Sequence, residues 1–236
     1  MHLDENKLPK HVGIIMDGNG RWAQKRGLLR ESGHLAGVRS FRKFINYLQN
    51  SKIKYFTFFA FSTENWGRPQ HEVAVLMKIL KNQLENSIKK IGKNSKINFI
   101  GERNKLPQEI INLIIKAEDI SKNNIGLNLN FAINYGGRHE ILNATKNIAK
   151  KICEKKVKIE EITENFFSKF LYTKDQPDPD LIIRTSGENR ISNFLIWQSA
   201  YSEFITLDTL WPDFTFKDFE FAISEFSKRK RNFGKI

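Results

Sequence analysis

Six short apolar runs punctuate the chain, and each is followed by a polar cluster. Residues 12–16, 53–61 (IKYFTFFAF), 97–100, 126–134 (GLNLNFAIN), 181–183 and 204–207 are rich in β-branched and aromatic residues and bounded by turn formers, the pattern of buried strands. Between them the apolar spacing changes to three and four. Residues 36–48 place Val38, Phe41, Phe44, Ile45 and Leu48 on one helical face. Residues 71–91 do the same with Val73, Leu76, Met77, Leu80, Leu84, Ile88 and Ile91, the longest predicted helix. That stripe fits a plain core face and equally the wall of an apolar cavity, and periodicity does not separate the two. Further helices are predicted over residues 107–122, after Tyr135 to Cys153, and over 217–229. Residues 24–32 are polar and read as a helical turn and a mobile loop, and residues 175–180, with Pro177 and Pro179, as a rigid loop.

Strands alternating with helices predict an α/β fold, a single domain over residues 1–236 with a mostly parallel six-stranded sheet flanked by helices. No internal repeat or interdomain linker interrupts it. Ligands of open α/β sheets bind at the carboxyl edge. Here that edge would gather Asp17, residues 62–65, residues 134–137 and residues 184–187, a convergence that packing alone does not require.

The first of these mouths is the most informative. In HVGIIMDGNGRWA the strand stops at Asp17, and Gly18 and Gly20 let the backbone turn and bring its N–H groups to a ligand. An anion among such amides is costly without a cation beside it. A Mg²⁺ bridging Asp17 to substrate phosphate oxygens satisfies every group, whereas a simple Asx turn remains the plainer reading of Asp-Gly alone.

Charge adds the next constraint. The chain has 236 residues, 39 Lys and Arg against 26 Asp and Glu, and a formal net charge of +13, so anionic partners are favoured. Nucleic acid is suggested by charge alone and by no motif, and salt-sensitive affinity would be its sign. Arg21, Arg30, Arg68, Arg184 and Arg190, with His34 beside them, fall in or near the strand mouths, and the guanidinium fork suits phosphate oxygens. There is no GxxxxGK[ST] loop, Gly18-Asn19-Gly20 lacks the third glycine of a dinucleotide fingerprint, and Ser62 has no Ser-His-acid arrangement. Cys153 is the sole cysteine, which excludes an intramolecular disulfide and a cysteine-based metal cluster. No apolar run reaches membrane-spanning length and MHLDENKLPK lacks a signal-type apolar stretch, so a cytoplasmic location is expected. Many phosphate ligands beside apolar strands and a long apolar helix point to an amphipathic phosphorylated substrate.

The blocks HVGIIMDGNGRWA, FAFSTENWGRP, NYGGRHEI, IRTSGENRISNFLIWQSAYSE and LWPDF resemble, in order from Pro9 to Gly234, the signature blocks of the cis-prenyltransferases, nearest to those of bacterial undecaprenyl diphosphate synthases. The DDxxD motif of trans-prenyltransferases is absent. The resemblance implies a fold with an apolar tunnel and head-to-tail addition of isopentenyl diphosphate units, each in cis, to farnesyl diphosphate. The product would be undecaprenyl diphosphate, precursor of the lipid carrier for cell-wall polysaccharide, or a chain of another length. It implies that Asp17 is the catalytic carboxylate holding Mg²⁺, with Glu203 completing the metal site from a partner subunit or a neighbouring segment. Gly18, Asn19, Gly20 and Arg21, with Arg30 and His34, would hold the allylic diphosphate. Arg184, Arg190 and Ser192 would hold that of isopentenyl diphosphate, with Arg68 between the two. Trp22, Ser62, Thr63, Glu64, Trp66 and Ile191 count as further substrate contacts. Asn65 would take part in proton removal by orienting water or the substrate's own diphosphate, since an amide is a poor base.

A homodimer is implied by the resemblance, and so is the contrasting possibility of a non-catalytic partner subunit, which the intact Asp17, Arg184, Arg190 and Glu203 argue against. The basic tail, residues 228–235, reads as a solvated helix end or as a contact to anionic lipid during product release. Asn189 stands where many relatives have histidine, so a changed pH dependence is expected.

Overall fold

The computed structural model describes residues 7–90 and 94–231. In chain order the elements are β1 (His11–Ile15), α1 (Asn19–Gln24), α2 (Arg30–Leu48), β2 (Tyr55–Ser62), α3 (Gln70–Lys90), β3 (Ser95–Ile100), α4 (Gln108–Ser121), β4 (Leu127–Tyr135), α5 (Gly137–Cys153), α6 (Glu164–Ser168), β5 (Leu181–Thr185), β6 (Glu203–Leu207) and α7 (Phe216–Lys228). Among the described residues six strands form one sheet in the order β3-β4-β2-β1-β5-β6, and every pairing is parallel. All strands therefore end at the same edge. The order runs outward from the centre in two directions, so the crevice at that edge opens beside β1.

The abundance of phenylalanine has a physical counterpart on one face of the sheet. Phe44 of α2 meets Phe219 at 5.1 Å, Phe214 at 5.2 Å, Trp211 at 6.2 Å and Phe58 at 6.3 Å between ring centroids, all near edge-to-face. These rings tie α2 and α7 to β1, β2 and β5 through Val12, Ile14, Phe56 and Ile183. A separate cluster joins Met77 and Leu84 of α3 to Ile110 and Ile114 of α4 and to Phe61 and Ile133 of the sheet. The α3 stripe thus serves both expected roles, since Leu76, Met77, Leu80 and Leu84 also wall an apolar cavity. Ile91 lies outside the described residues.

Two differences from the sequence pattern have clear causes. Helix α2 starts at Arg30, six residues before the apolar stripe begins. Its first turns are packed through Gly33 and Gly37 rather than through apolar side chains, so periodicity does not register them. A Cβ on Gly33 would stand 2.0 Å from the Asn19 carbonyl oxygen, which shows how closely α2 approaches α1. The second difference is α6, five residues capped by Thr163, whose Oγ1 accepts from the Phe166 N–H at 3.1 Å. It is too short for an apolar period to mark it.

At the amino end of the sheet, His11 is fully buried. Its Nδ1 donates to the Pro177 carbonyl at 2.7 Å, because a carbonyl can only accept, and its Nε2 then accepts from Thr57 Oγ1 at 2.8 Å. Thr57 in turn accepts from Asn130 Nδ2 at 2.9 Å, and Asn130 donates to Gln176. This chain holds the 175–180 loop against β1, β2 and β4. Burial drives the His11 pKa down to about 4, against the smaller opposing pull of the Pro177 carbonyl and Asp180.

Of the basic tail, the described part is tied to the chain itself. Lys228 pairs with Glu225 at 2.5 Å, Arg229 with Glu203 at 2.6 Å and Arg231 with Asp180 at 2.5 Å. Residues 232–235 lie outside the described residues. Among the described residues no helix is long and apolar enough to cross a membrane.

Candidate functional site

The site is built where β1, β2 and β5 end. The Asp17 backbone is fixed first: its N–H reaches Ile15 O at 3.0 Å and Thr185 Oγ1 at 2.9 Å, and the same hydroxyl donates to Asp17 O at 2.7 Å. Trp211 N–H also donates to Asp17 O at 3.0 Å. With the backbone held, the carboxylate is aimed. Oδ1 accepts from the Gly18 N–H at 2.6 Å, Oδ2 from Arg184 Nη2 at 2.8 Å, and Arg21 Nη2 stands 3.7 Å away. Burial pushes the Asp17 pKa up, but the Arg184 hydrogen bond and charge, the Gly18 N–H and Arg21 together outweigh it and hold the carboxyl below the usual range. The cation that Asp17 needs is therefore supplied by the chain itself.

Gly18 makes the turn possible, with φ +106 and a would-be Cβ only 2.8 Å from Leu210 Cδ2. Its N–H is directed at Asp17 rather than outward. Gly20 lies against Arg30, whose Nε is 3.0 Å from the position of a Cβ there. Arg21 donates to Ser186 O at 3.0 Å and Ser186 Oγ at 2.6 Å and pairs with Glu188 at 2.9 Å. Trp22 turns to the other side: its indole N–H donates to Asp213 at 2.7 Å and Arg26 lies 4.1 Å over its ring.

The segment after β2 is a single 3-10 stretch, Thr63–Gly67. Asn65 Oδ1 accepts from the Ser62 N–H at 3.0 Å, so the acceptor end of the amide is occupied and its NH₂ is the end left to orient a ligand oxygen. Thr63 donates to Glu64, and Glu64 accepts from Asn193 Nδ2 at 2.8 Å. Trp66 is a structural anchor, donating to Asn134 Oδ1 at 2.8 Å and packing edge-on against Phe61 at 5.1 Å. Arg68, Arg30 and His34 meet on one buried carboxylate, Glu72, at 2.8, 3.1 and 3.4 Å. Burial raises the Glu72 pKa, but the charges of Arg68 and Arg30 prevail and hold it low. Burial and then the Arg68 charge lower that of His34, against the pull of Glu72.

At the end of β5, Arg184 is almost wholly buried and organises the next ten residues. Its Nη1 donates to the Arg190 carbonyl and, at 2.6 Å, to Ser192 Oγ. Ser186, Ser192, Asn193 and Leu195 all have positive φ in this loop, an arrangement that costs about 1–3 kcal/mol per residue and persists only where contacts fix it. Those contacts are Arg184 on one side and the start of α5 on the other, where Asn193 O and Oδ1 accept from the N–H groups of Gly137 at 2.7 Å and Arg138 at 2.9 Å. Arg190 pairs with Glu188, and Ile191 packs under the loop.

Two connected spaces result. A polar mouth of about 530 Å³ is lined by Asp17, His34, Ser62, Glu64, Asn65, Arg68, Arg184 and Ser192. It shares Met16, Asn19, His34, Ala60 and Leu76 with an apolar cavity of about 180 Å³ that runs on past Phe99 and Phe131. Gly18, Gly20, Arg21, Trp22, Arg30, Thr63, Trp66, Arg190 and Ile191 surround the mouth or support it without lining it.

Glu203 is the one expected site residue that the chain does not bring there. It pairs in register with Leu181, the first residue of β5, whereas Asp17 lies two residues past the end of β1. The two carboxylates are at opposite edges of the sheet, and Glu203 is held by Arg229. The expectation that a neighbouring segment of the same chain brings it to the metal is thus overturned, because strand direction forbids it. Among the described residues no three or more His, Cys, Asp or Glu are gathered as a metal cage. The donor chemistry still fits Mg²⁺, which takes one or two carboxylate oxygens and completes its shell with water and phosphate; Asp17 offers such an oxygen, partly exposed, at the mouth.

Sequence reasoning missed Glu72, Glu188 and Asn193. Arg68 and Glu72 are four apart, so a scan for ion pairs at that spacing would have raised Glu72, whereas Glu188, two before Arg190, falls outside it. Asn193 carried no comparable signal.

The family described as "Putative undecaprenyl diphosphate synthase" matches residues 15–234. An isoprenyl transferase of Fusobacterium nucleatum is 51% identical over 98% of this chain and 98% of its own. A ditrans,polycis-undecaprenyl-diphosphate synthase of Pasteurella multocida, (2E,6E)-farnesyl-diphosphate specific, is 46% identical over 99% and 98%. In three dimensions the chain is similar to lavandulyl diphosphate synthase from Lavandula x intermedia, solved in complex with dimethylallyl diphosphate, with a TM-score of 0.94 and 34% identity over 98% of this chain and 100% of that one. A nearly full-length match in sequence and in fold leaves one conclusion: the chain belongs to the undecaprenyl diphosphate synthase family of prenyltransferases.

Proposed function

We propose that the chain is a Mg²⁺-dependent cis-prenyltransferase that condenses isopentenyl diphosphate with farnesyl diphosphate and extends it to undecaprenyl diphosphate, precursor of the lipid carrier for cell-wall polysaccharide. One observation carries this reading: a mouth lined by Arg68 and Arg184, with Arg21, Arg30 and Arg190 around it, opens directly into an apolar cavity, the two halves a prenyl diphosphate needs. Five arginines are set against Asp17, Glu64, Glu72 and Glu188, an excess of one positive charge before His34 is counted.

Arg30 and His34 would hold the allylic diphosphate with its chain in the cavity, while Arg184, Arg190 and Ser192 hold that of isopentenyl diphosphate and Arg68 reaches both. Asp17 is the carboxylate that would hold Mg²⁺, which when bound supplies positive charge to the departing diphosphate. As the allylic C–O bond breaks, the arginines take up the charge developing on pyrophosphate. The isopentenyl double bond attacks the allylic carbon, and loss of a proton to a diphosphate oxygen forms the new double bond. The NH₂ of Asn65 orients that oxygen and does not itself take the proton. Glu203 would reach a metal site only in a second copy of the chain, which favours a homodimer.

The test is incubation with farnesyl diphosphate, labelled isopentenyl diphosphate, Mg²⁺ and mild detergent, with Asp17→Ala alongside. The reading requires an undecaprenyl-length product that the variant does not make. A ladder ending much shorter would retain the chemistry and revise the product. No incorporation would overturn it.

A further inference from the structure

Glu72 is a buried anion, 6% exposed, that the chemistry above does not use. Its Oε1 accepts a hydrogen bond from Arg68 Nη1 at 2.8 Å and lies 3.1 Å from Arg30 Nε and 3.4 Å from His34 Nε2. These groups come from separate parts of the chain: Arg30 and His34 from the start of α2, Arg68 from the end of the stretch after β2, and Glu72 from the first turn of α3. Without an anion between them, the two guanidinium groups would repel and separate, and His34 would lose the carboxylate it faces.

The form of the contacts matters as much as their number. Each guanidinium has five N–H donors, and these contacts use Nε of Arg30 and one Nη of Arg68. The remaining donors can meet phosphate oxygens while the carboxylate stays in place. The exposure is also asymmetric: the Arg30 and Arg68 side chains are 59% and 30% exposed, the Glu72 side chain 8%. The carboxylate is the covered partner and the two guanidinium groups are the accessible ones.

We propose that Glu72 is a positioning residue, an internal anion on which Arg30, Arg68 and His34 are assembled in advance into the seat of the allylic diphosphate. The proposal rests on the reading that these three residues hold a diphosphate. The opposite role, a counter-ion that a diphosphate must displace, would require Glu72 to leave, and a side chain so deeply covered has no route into solvent without uncovering α3.

The experiment compares wild type, Glu72→Gln and Glu72→Asp in two ways. Binding of inorganic pyrophosphate with Mg²⁺ is measured by calorimetry without turnover, and KM and kcat are measured separately for farnesyl and isopentenyl diphosphate. Glu72→Gln is expected to weaken pyrophosphate binding about tenfold and to raise KM for the allylic diphosphate by a similar factor, with a clearly smaller rise in KM for isopentenyl diphosphate, through Arg68, and a melting temperature close to wild type. Glu72→Asp, which keeps the charge one methylene further back, should recover part of the loss. Unchanged or tighter binding in Glu72→Gln overturns the proposal, as does an equal loss for both substrates. If Glu72→Gln fails to fold, Glu72→Asp alone must show the selective rise for the allylic substrate, or the proposal fails. A wild type that binds pyrophosphate but makes no product would sink the enzymatic reading, and the binding arm would then decide the role of Glu72 by itself.

Discussion

Arg184 Nη2 lies 2.8 Å from Asp17 Oδ2, so the carboxylate expected to hold the metal is already charge-paired with the arginine expected to hold a substrate phosphate. One residue comes from the end of β5 and the other from just past β1, adjacent strands of the sheet. Their contact links the two halves of the proposed reaction before any ligand arrives. Burial alone would raise the Asp17 pKa, and Arg184 is the chief reason it is lowered. Arg184→Gln should therefore raise it. The carboxylate form would be lost at a higher pH, so the acid limb of the pH–rate profile of kcat/KM should move upward, with a drop of about 100-fold or more at neutral pH. An acid limb at the wild-type position would contradict the assignment.

His11 gives a stability prediction with a defined sign. Its pKa is about 4 in the fold against 6.5 in the unfolded chain, so the unfolded state binds the proton first as pH falls. The stabilisation is complete above pH 6.5 and is lost progressively between about 6.5 and 4, with an order of magnitude of about 3 kcal/mol in full. Urea unfolding at pH 7 and pH 5 should differ by about 2 kcal/mol from this group. His11→Gln should reduce that difference while lowering stability at both values.

Asn189 is exposed between Glu188, which pairs with Arg21 and Arg190, and Arg190 itself. Asn189→His would place a group that titrates near neutrality beside that cluster. Its pH–rate profile should gain a dependence between about pH 5 and 8 that wild type lacks. Superimposable profiles would rule out any proton or charge role for the position.

Phe99 and Phe131, centroids 5.5 Å apart, line the apolar cavity and not the mouth. Phe99→Ala should enlarge the space at that point and shift products toward longer chains at nearly unchanged KM. The removed ring costs about 3 kcal/mol of stability on the scale of core aromatic deletions. A product ladder identical to wild type would place the length-limiting contact elsewhere.

Much of this site was legible because chemistry and strand ends coincide in the sequence. Asp17, Ser62, Asn65, Arg68, Arg184 and Ser192 lie where an apolar run stops, and a parallel sheet necessarily brings such positions to one edge. What was not legible depends on side chains that act on one another. Glu72 sits within an apolar helical stripe, and only the approach of α2 shows that it receives Arg30 and His34. Trp22 and Trp66 were expected as substrate contacts from the resemblance, and sequence gives no sign that their indole N–H groups bond Asp213 and Asn134. Glu203 was read from its block although it directly precedes the 204–207 run, a position that in a parallel sheet already belongs to the amino edge.

The packing of Phe44 sets an angular tolerance for the phosphate-binding end of its helix. His34 and Phe44 are ten residues apart on α2, about 15 Å at 1.5 Å per residue. A tilt of about 4° about the Phe44 rings would therefore carry His34, and Arg30 beyond it, by about 1 Å. Displacements of that size are enough to cost about a hundredfold in rate where geometry is critical. The aromatic cluster behaves as a pivot bearing, and substitutions among Phe44, Phe214 and Phe219 should register as defects in diphosphate affinity far from any ligand.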